Sequence, residues 1–270
     1  MFKFKHSKGD GSLSGSFLVS VLLLSGVLVS PRPALAGKSP LHVAAAADLM
    51  PVLPHLSRAF TKKSGIPVKI SWGATGEEAL AIRHRAPYDL FLAADSVHPR
   101  ELARAGYLER KSLKTYAKGI LVLWVSKKIL SEGKTLPDTA VLSRPEIKKF
   151  ALANPRLAPY GKAALSCLRS KGLWSKLRKK AVYGNSLAQV AQYLRTGTAQ
   201  AGFLSESQAM AQAGGSVKGD FVALSPACHP YLTQAMGIVS RSKRKREARA
   251  FEDFLVSPEA QGYLKEHGYH

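Results

Sequence analysis

Acidic residues are scarce in this 270-residue chain: 18 Asp and Glu stand against 40 Lys and Arg, a formal net charge of +22. That imbalance turns attention to anionic partners, whether nucleic acid, an acidic membrane surface or a small anion. Cysteine is nearly absent. Cys167 and Cys228 stand alone, and they leave open either one disulfide or two buried thiols. The chain has no Gly-x-Ser-x-Gly elbow, no Walker loop, no His-Glu-x-x-His and no Cys-x-x-Cys, so it offers no catalytic set and reads as a non-enzyme. His55, His84, His98, His229, His267 and His270 lack metal-ligand spacing and read as surface or capping residues. Neither a cofactor nor a metal cation is expected. No low-complexity tract argues for disorder, and no apolar run beyond residue 36 reaches membrane-spanning length.

What is present begins with an export signal. Lys3, Lys5 and Lys8 form a basic start, Phe17 to Ser30 an apolar run, and Ala34-Leu35-Ala36 a small-residue cleavage site, the layout of a cleaved signal peptide over residues 1–36. Without that segment four cations and one acid leave, and +19 remains. Export to the periplasm or another extracytoplasmic space argues against nucleic acid as a partner. The densest basic run, Lys243 to Arg246, then reads as a solvated helix start.

The mature chain alternates strands and helices. Leu41–Ala46, Pro67–Trp72 and Tyr88–Ala93 read as strands. Helices are expected at Leu49–Lys63, with Pro51 and Pro54 in its first turn, at Glu77–His84 and at Ser96–Ala105. After the apolar run Gly119–Ser126 the alternation restarts, with strands at 150–153, 181–183, 201–204 and 232–240. Helices are expected at 162–171, 186–195, 249–255 and 258–266. Repeated βα units predict two α/β lobes, each a doubly wound, mostly parallel sheet, with a ligand in the cleft between them. Residues 40–117 plus 233–270 make lobe I, and 118–232 lobe II.

Four strand-to-helix junctions are built from small and hydroxyl residues: Ala44 to Asp48, with Asp48 as an N-cap; Trp72 to Gly76, where Thr75 supplies a hydroxyl; Asn154 to Gly161, where Tyr160 and Gly161 precede a helix; and Tyr183 to Leu187. Helix N-termini carry free N–H donors and positive dipole ends, so several converging on one cleft make an anion site without Lys or Arg. Asp89 and Asp95 read as residues that cap or orient loops.

The segments AAAADL, SWGATG, RAPYDLFLAAD (Arg85 to Asp95), ANPRLAPYG (Ala153 to Gly161) and GNSLAQV followed by QAGFL resemble the periplasmic molybdate-binding proteins of ABC transporters, over nearly all of Leu41 to Gly268. The resemblance implies a type II-like two-lobed binding protein that captures molybdate, or tungstate, and delivers it as a monomer to a membrane permease. Another oxyanion such as sulfate or phosphate is the alternative. Position by position it implies a site made of Ala47, Asp48, Thr75, Tyr160, the backbone N–H of Leu187, and Ser205, which falls where many members place a tyrosine hydroxyl. Asp48 stands where the best-known members have Ser. Two roles for it are open: a carboxylate turned onto its own helix as an N-cap, or an acceptor for a proton carried by the ligand.

Overall fold

A computed structural model describes residues 39–130, 138–212, 215, 217–229 and 232–270; the expected signal peptide at 1–36 lies outside them. From Lys38 onward the chain forms one compact unit. It opens with β1 (Leu41–Ala46), a 3-10 turn (Ala47–Leu49), α1 (Leu53–Ser64), β2 (Val68–Gly73), α2 (Thr75–Arg83), β3 (Leu90–Ala93), α3 (Val97–Arg104) and β4 (Lys114–Gly119). At Gly119 the chain crosses to a second sheet with β5 (Leu121–Ser126), β6 (Phe150–Ala153), α4 (Pro159–Ser170), α5 (Trp174–Leu177), β7 (Ala181–Gly184), α6 (Leu187–Arg195), β8 (Ala201–Ser205), α7 (Glu206–Gln212) and β9 (Gly219–Ala223). It returns through β10 (Leu232–Ile238) and ends with α8 (Lys245–Leu255) and α9 (Pro258–Glu266).

The two sheets have the same topology, β2-β1-β3-β10-β4 and β7-β6-β8-β5-β9. In each, three strands pair in parallel and the strand that arrives from the other lobe pairs antiparallel on both sides. Four of five strands therefore run one way, and β10 or β5 runs against them. Alternation within a strand feeds two different layers. Leu41, Val43 and Ala45 of β1 enter one apolar cluster with Phe251 and Leu255 of α8, while Ala44 enters another with Ala79 and Ile82 of α2. Burial on both faces is the signature of a strand covered by helices on each side.

Several boundaries differ from the sequence expectation, each for a local reason. The helix expected from Leu49 starts at Leu53, because Pro51 and Pro54 lack N–H groups and fit only ahead of or inside a first turn. The expected loop Gly73–Gly76 is almost absent: β2 runs through Gly73 and α2 begins at Thr75. Tyr160 and Gly161 do not precede α4 but form its first turn. That early start needs glycine at 161, since a Cβ there would collide with the carbonyl oxygen of Ala153 on β6. The strands β4 and β9 and the helix α7 went unrecognised in the sequence. Cys167 on α4 and Cys228, on a 3-10 turn beside the return crossover, are joined as a disulfide. No helix of the described residues is long and apolar enough to cross a membrane.

Candidate functional site

The carboxyl ends of β1, β2 and β3 meet the second lobe. Ala46, Ala74 and Ala94, one from each strand end, pack into the second lobe's own apolar cluster. Small side chains there let the two backbones approach closely. The Gly76 N–H donates to the Leu157 carbonyl (2.8 Å), and the Gln208 side-chain amide donates to the Ala47 carbonyl (2.9 Å). Each bond runs from one lobe to the other, so the lobes are in contact around these junctions.

All six residues expected at the site lie here, and none is more than 4% exposed. Ala47 and Asp48 form the 3-10 turn that follows β1. Thr75 opens α2, and its hydroxyl accepts from the Ala94 N–H (3.0 Å), which leaves the hydroxyl hydrogen free to donate. Tyr160, in the first turn of α4, accepts from the Gln234 amide (3.2 Å) and likewise keeps its own O–H. Leu187 opens α6, its side chain in the second core and its helix against the Ala47–Leu49 turn. Ser205 ends β8 and caps α7 by accepting from the Gln208 N–H (3.2 Å). At the starts of the 3-10 turn, α2, α4 and α6 the N-cap residue's side chain makes no capping bond, although Glu77 accepts from the Ala74 N–H (3.2 Å) ahead of α2 and Gln189 from the Asn185 N–H (2.7 Å) ahead of α6. Ser257 caps α9, and Asp95 accepts from the N–H groups of Val97 and His98 at the start of α3. The expected loop-ordering roles of Asp95 and Asp89 hold: Asp89 accepts from the His42 N–H and the Ser242 hydroxyl.

Asp48 departs from the N-cap expectation. The residue before its turn is Ala46, no side chain caps that turn, and the carboxylate faces away into a polar cluster. Its Oδ2 accepts from Gln234 Nε2 (2.7 Å) and, at 3.2 Å, shares the Tyr269 hydroxyl hydrogen that also goes to the Asp48 carbonyl (2.8 Å), while Oδ1 is buried and has no partner. The reason is position: Asp48 lies inside the turn and not at its N-cap, so its carboxyl meets donors from β10 and the C-terminal segment. Burial pushes the Asp48 carboxyl up to about 7, against the lowering effect of those hydrogen bonds. Tyr116, Tyr160 and Tyr269 are held well above the ordinary phenol range, again chiefly by burial. All three are therefore neutral O–H donors. Gln234 is the centre of the cluster, donating to Asp48 and Tyr160 and accepting from Tyr116 (2.8 Å). Among the described residues no group of acidic, His or Cys side chains is arranged to hold a metal cation.

Gln234, Tyr269, Tyr116 and Gln208 were missed in the sequence. Gln234 left one trace, a polar residue inside the apolar strand LTQAMGI. Tyr269 left none, because its position beside Asp48 depends on how the C-terminus folds back.

Comparison with known proteins gives a consistent result. Residues 41–270 match the family described as bacterial extracellular solute-binding protein. The molybdate-binding protein ModA of Azotobacter vinelandii is 34% identical over 84% of this chain and 88% of its own length. ModA of Rhodobacter capsulatus is 30% identical over 88% of this chain and 90% of its own. The solved structure of the Azotobacter vinelandii periplasmic molybdate-binding protein superposes with a TM-score of 0.78, covering 85% of this chain and 98% of that one at 30% identity.

Proposed function

The chain belongs to the bacterial extracellular solute-binding proteins, in the family of the periplasmic molybdate-binding proteins, and on that footing we propose that it captures molybdate or tungstate for an ABC importer. The observation that carries this reading is the set of four helical starts whose N-cap residues make no side-chain capping bond, tied together across two lobes, with the free hydroxyl hydrogens of Thr75 and Tyr160 beside them. The hydroxyls and helical N–H groups of this set are donors, none is a cationic side chain, and the one acceptor group among them is the Asp48 carboxyl. Such a set suits a tetrahedral dianion, which accepts hydrogen bonds and cannot return them.

The oxyanion is gripped by the backbone N–H groups of Ala47, Asp48 and Leu187 and by the hydroxyls of Thr75 and Tyr160, with Ser205 at the margin. With lobe I at 40–117 plus 233–270 and lobe II at 118–232, the open form binds the ion on one lobe, and hinge closure brings donors from the other to complete the cage. The closed monomer then docks on a membrane permease. The protein works as a carrier and not an enzyme, and it reaches the periplasm by a signal peptide cleaved near Ala36. Its surplus of positive charge speeds anion capture without touching the ligand.

A melting-temperature panel tests this. Molybdate or tungstate at a hundred times its dissociation constant stabilises the fold by about 2.7 kcal/mol, one ion per chain by native mass spectrometry, and sulfate and phosphate do not compete. A melting curve unmoved by both molybdate and tungstate would refute the reading.

A further inference from the structure

Asp48 poses a problem for an oxyanion site. An ionised carboxylate on the first junction repels a dianion, yet here it is 1% exposed at the meeting point of both lobes. The groups that face it are Gln234 from β10, Tyr269 from the C-terminal segment, and Tyr160 and Tyr116 from α4 and β4. The acids felt through those tyrosines are Asp95 and Glu206, and no cation is among the groups that set the acidity of Asp48. No cation there offsets a buried negative charge, and the hydrogen bonds to the carboxyl offset its burial only in part.

The distribution of hydrogen bonds over the two oxygens is the second observation. Oδ2 accepts from Gln234 (2.7 Å) and shares the Tyr269 hydrogen (3.2 Å) with the Asp48 carbonyl (2.8 Å), so it is the acceptor end. Oδ1 is shut off from water and unpartnered. A proton on this carboxyl therefore belongs on Oδ1, where it has no acceptor in the protein.

We propose that Asp48 is the specificity-determining donor of the site: a neutral carboxylic acid whose Oδ1 hydrogen bonds to the bound oxyanion, so that capture of a dianion takes up one proton from solvent. The inference rests on the oxyanion reading above and deepens it. The balance is simple: Asp48 carboxylate, a solvent proton and the dianion combine to give Asp48 acid hydrogen-bonded to the dianion, with no other bond made or broken. Asparagine reproduces the neutral acid, since its amide oxygen accepts from Gln234 and Tyr269 while its N–H₂ takes the place of the O–H.

The direction of the pH dependence follows. In the ligand-free protein burial already raises this carboxyl to about 7, and an adjacent dianion raises it further. Above that value the free site is ionised and the loaded site is protonated, so affinity falls about tenfold for each pH unit. Molybdate itself carries no proton in that window.

Calorimetric titration of the full mature chain with molybdate between pH 7.5 and 9, in buffers of different ionisation enthalpy, reads the proton count directly. We expect close to one proton taken up by wild type, and an affinity for Asp48→Asn that is flat with pH and exceeds wild type at pH 9. Molybdate binding with no proton uptake overturns the inference and leaves the oxyanion reading standing. So does an Asp48→Asn variant that keeps the wild-type pH slope. If the variant does not fold, the wild-type proton count decides alone. Tight binding of hydrogen phosphate with no uptake, lost in Asp48→Asn, also overturns it, because the proton would then come with the ligand. Failure of molybdate and tungstate to bind at any pH sinks both readings together.

Discussion

The two lobes share one topology, yet they bury different chemistry. Asp48, Glu78, Asp89 and Glu252, the buried carboxyl residues among those described, all belong to the lobe of the first sheet. The lobe of the second sheet buries hydroxyls and amides instead, such as Ser126, Thr139, Gln208 and Gln212, and it holds the disulfide. The same strand order thus tolerates two ways of securing a fold. One lobe depends on protons and the other on a covalent tie. Neither dependence follows from the fold; both follow from which side chains occupy equivalent layers. Agents that act on one of these dependences should separate the lobes.

The largest separation should come from reduction. The Cys167–Cys228 bond spans 61 residues, and the chain-entropy account gives about 4 kcal/mol for a loop of that size. Strain or residual unfolded structure reduces that value. Cys228→Ser, or reductant on the wild type, should lower the denaturant midpoint, with amide protection lost first in β6 and α4. Equal loss of protection in β1 and α1 would show that the lobes unfold as one body and would remove the comparison.

Acid–base titration should act on the other lobe. Glu252 on α8 is fully buried, both its oxygens lack hydrogen-bond partners, and the nearest cation is Arg249 at 3.7 Å. Burial raises it from 4.5 to about 7. Below pH 4.5 both the folded and unfolded forms are protonated, and the group contributes nothing. Between about 4.5 and 7 the unfolded chain loses the proton first, so stability falls as pH rises, by at most about 1.4 kcal/mol per pH unit. Above 7 the loss is complete. Asp48 follows the same sign over a similar window. Urea unfolding at pH 5 and pH 8 should show wild type weaker at pH 8, with the difference shrinking in Glu252→Gln. An unchanged difference would acquit Glu252.

How much of this was legible in the sequence differs between fold and site. Strands buried on both faces, such as Leu41–Ala46, apolar but for the half-buried His42, and Phe150–Ala153, are apolar runs and were read correctly. β4, with the sequence KTYAKG, carries two lysines, Lys114 and Lys118, and was not, because an edge strand need bury only some of its side chains. At the site the four junctions were legible because junction chemistry is local: a glycine, a hydroxyl or a small residue before a helix. The individual residues expected there, Ala47, Leu187 and Ser205 above all, came from the family resemblance. What the carboxyl of Asp48 does was not legible. Its partners Gln234 and Tyr269 are 186 and 221 residues away, and no local pattern encodes a contact at that range. The N-cap reading failed for that reason.

The smallest expected effects compare the two hydroxyls that the lobes contribute. Thr75 and Tyr160 each accept one hydrogen bond from the protein and keep one hydrogen to donate. Loss of a hydrogen bond to a charged ligand costs about 1–3 kcal/mol of binding in either case. The cost to the empty protein should differ. Thr75 accepts from the backbone N–H of Ala94, which is buried at the end of β3; Thr75→Ala leaves that N–H with no partner, a further loss of about 1–3 kcal/mol in stability. Tyr160→Phe removes an acceptor from Gln234, but Gln234 keeps its bonds to Asp48 and Tyr116. Its ligand-free stability should stay within about 1 kcal/mol of wild type. Thr75→Ser, which retains the hydroxyl, should restore both properties. Calorimetric affinity and urea unfolding of the three variants test the contrast. If Thr75→Ala loses affinity and no stability, the first-lobe hydroxyl serves the ligand alone and its structural bond to Ala94 contributes nothing.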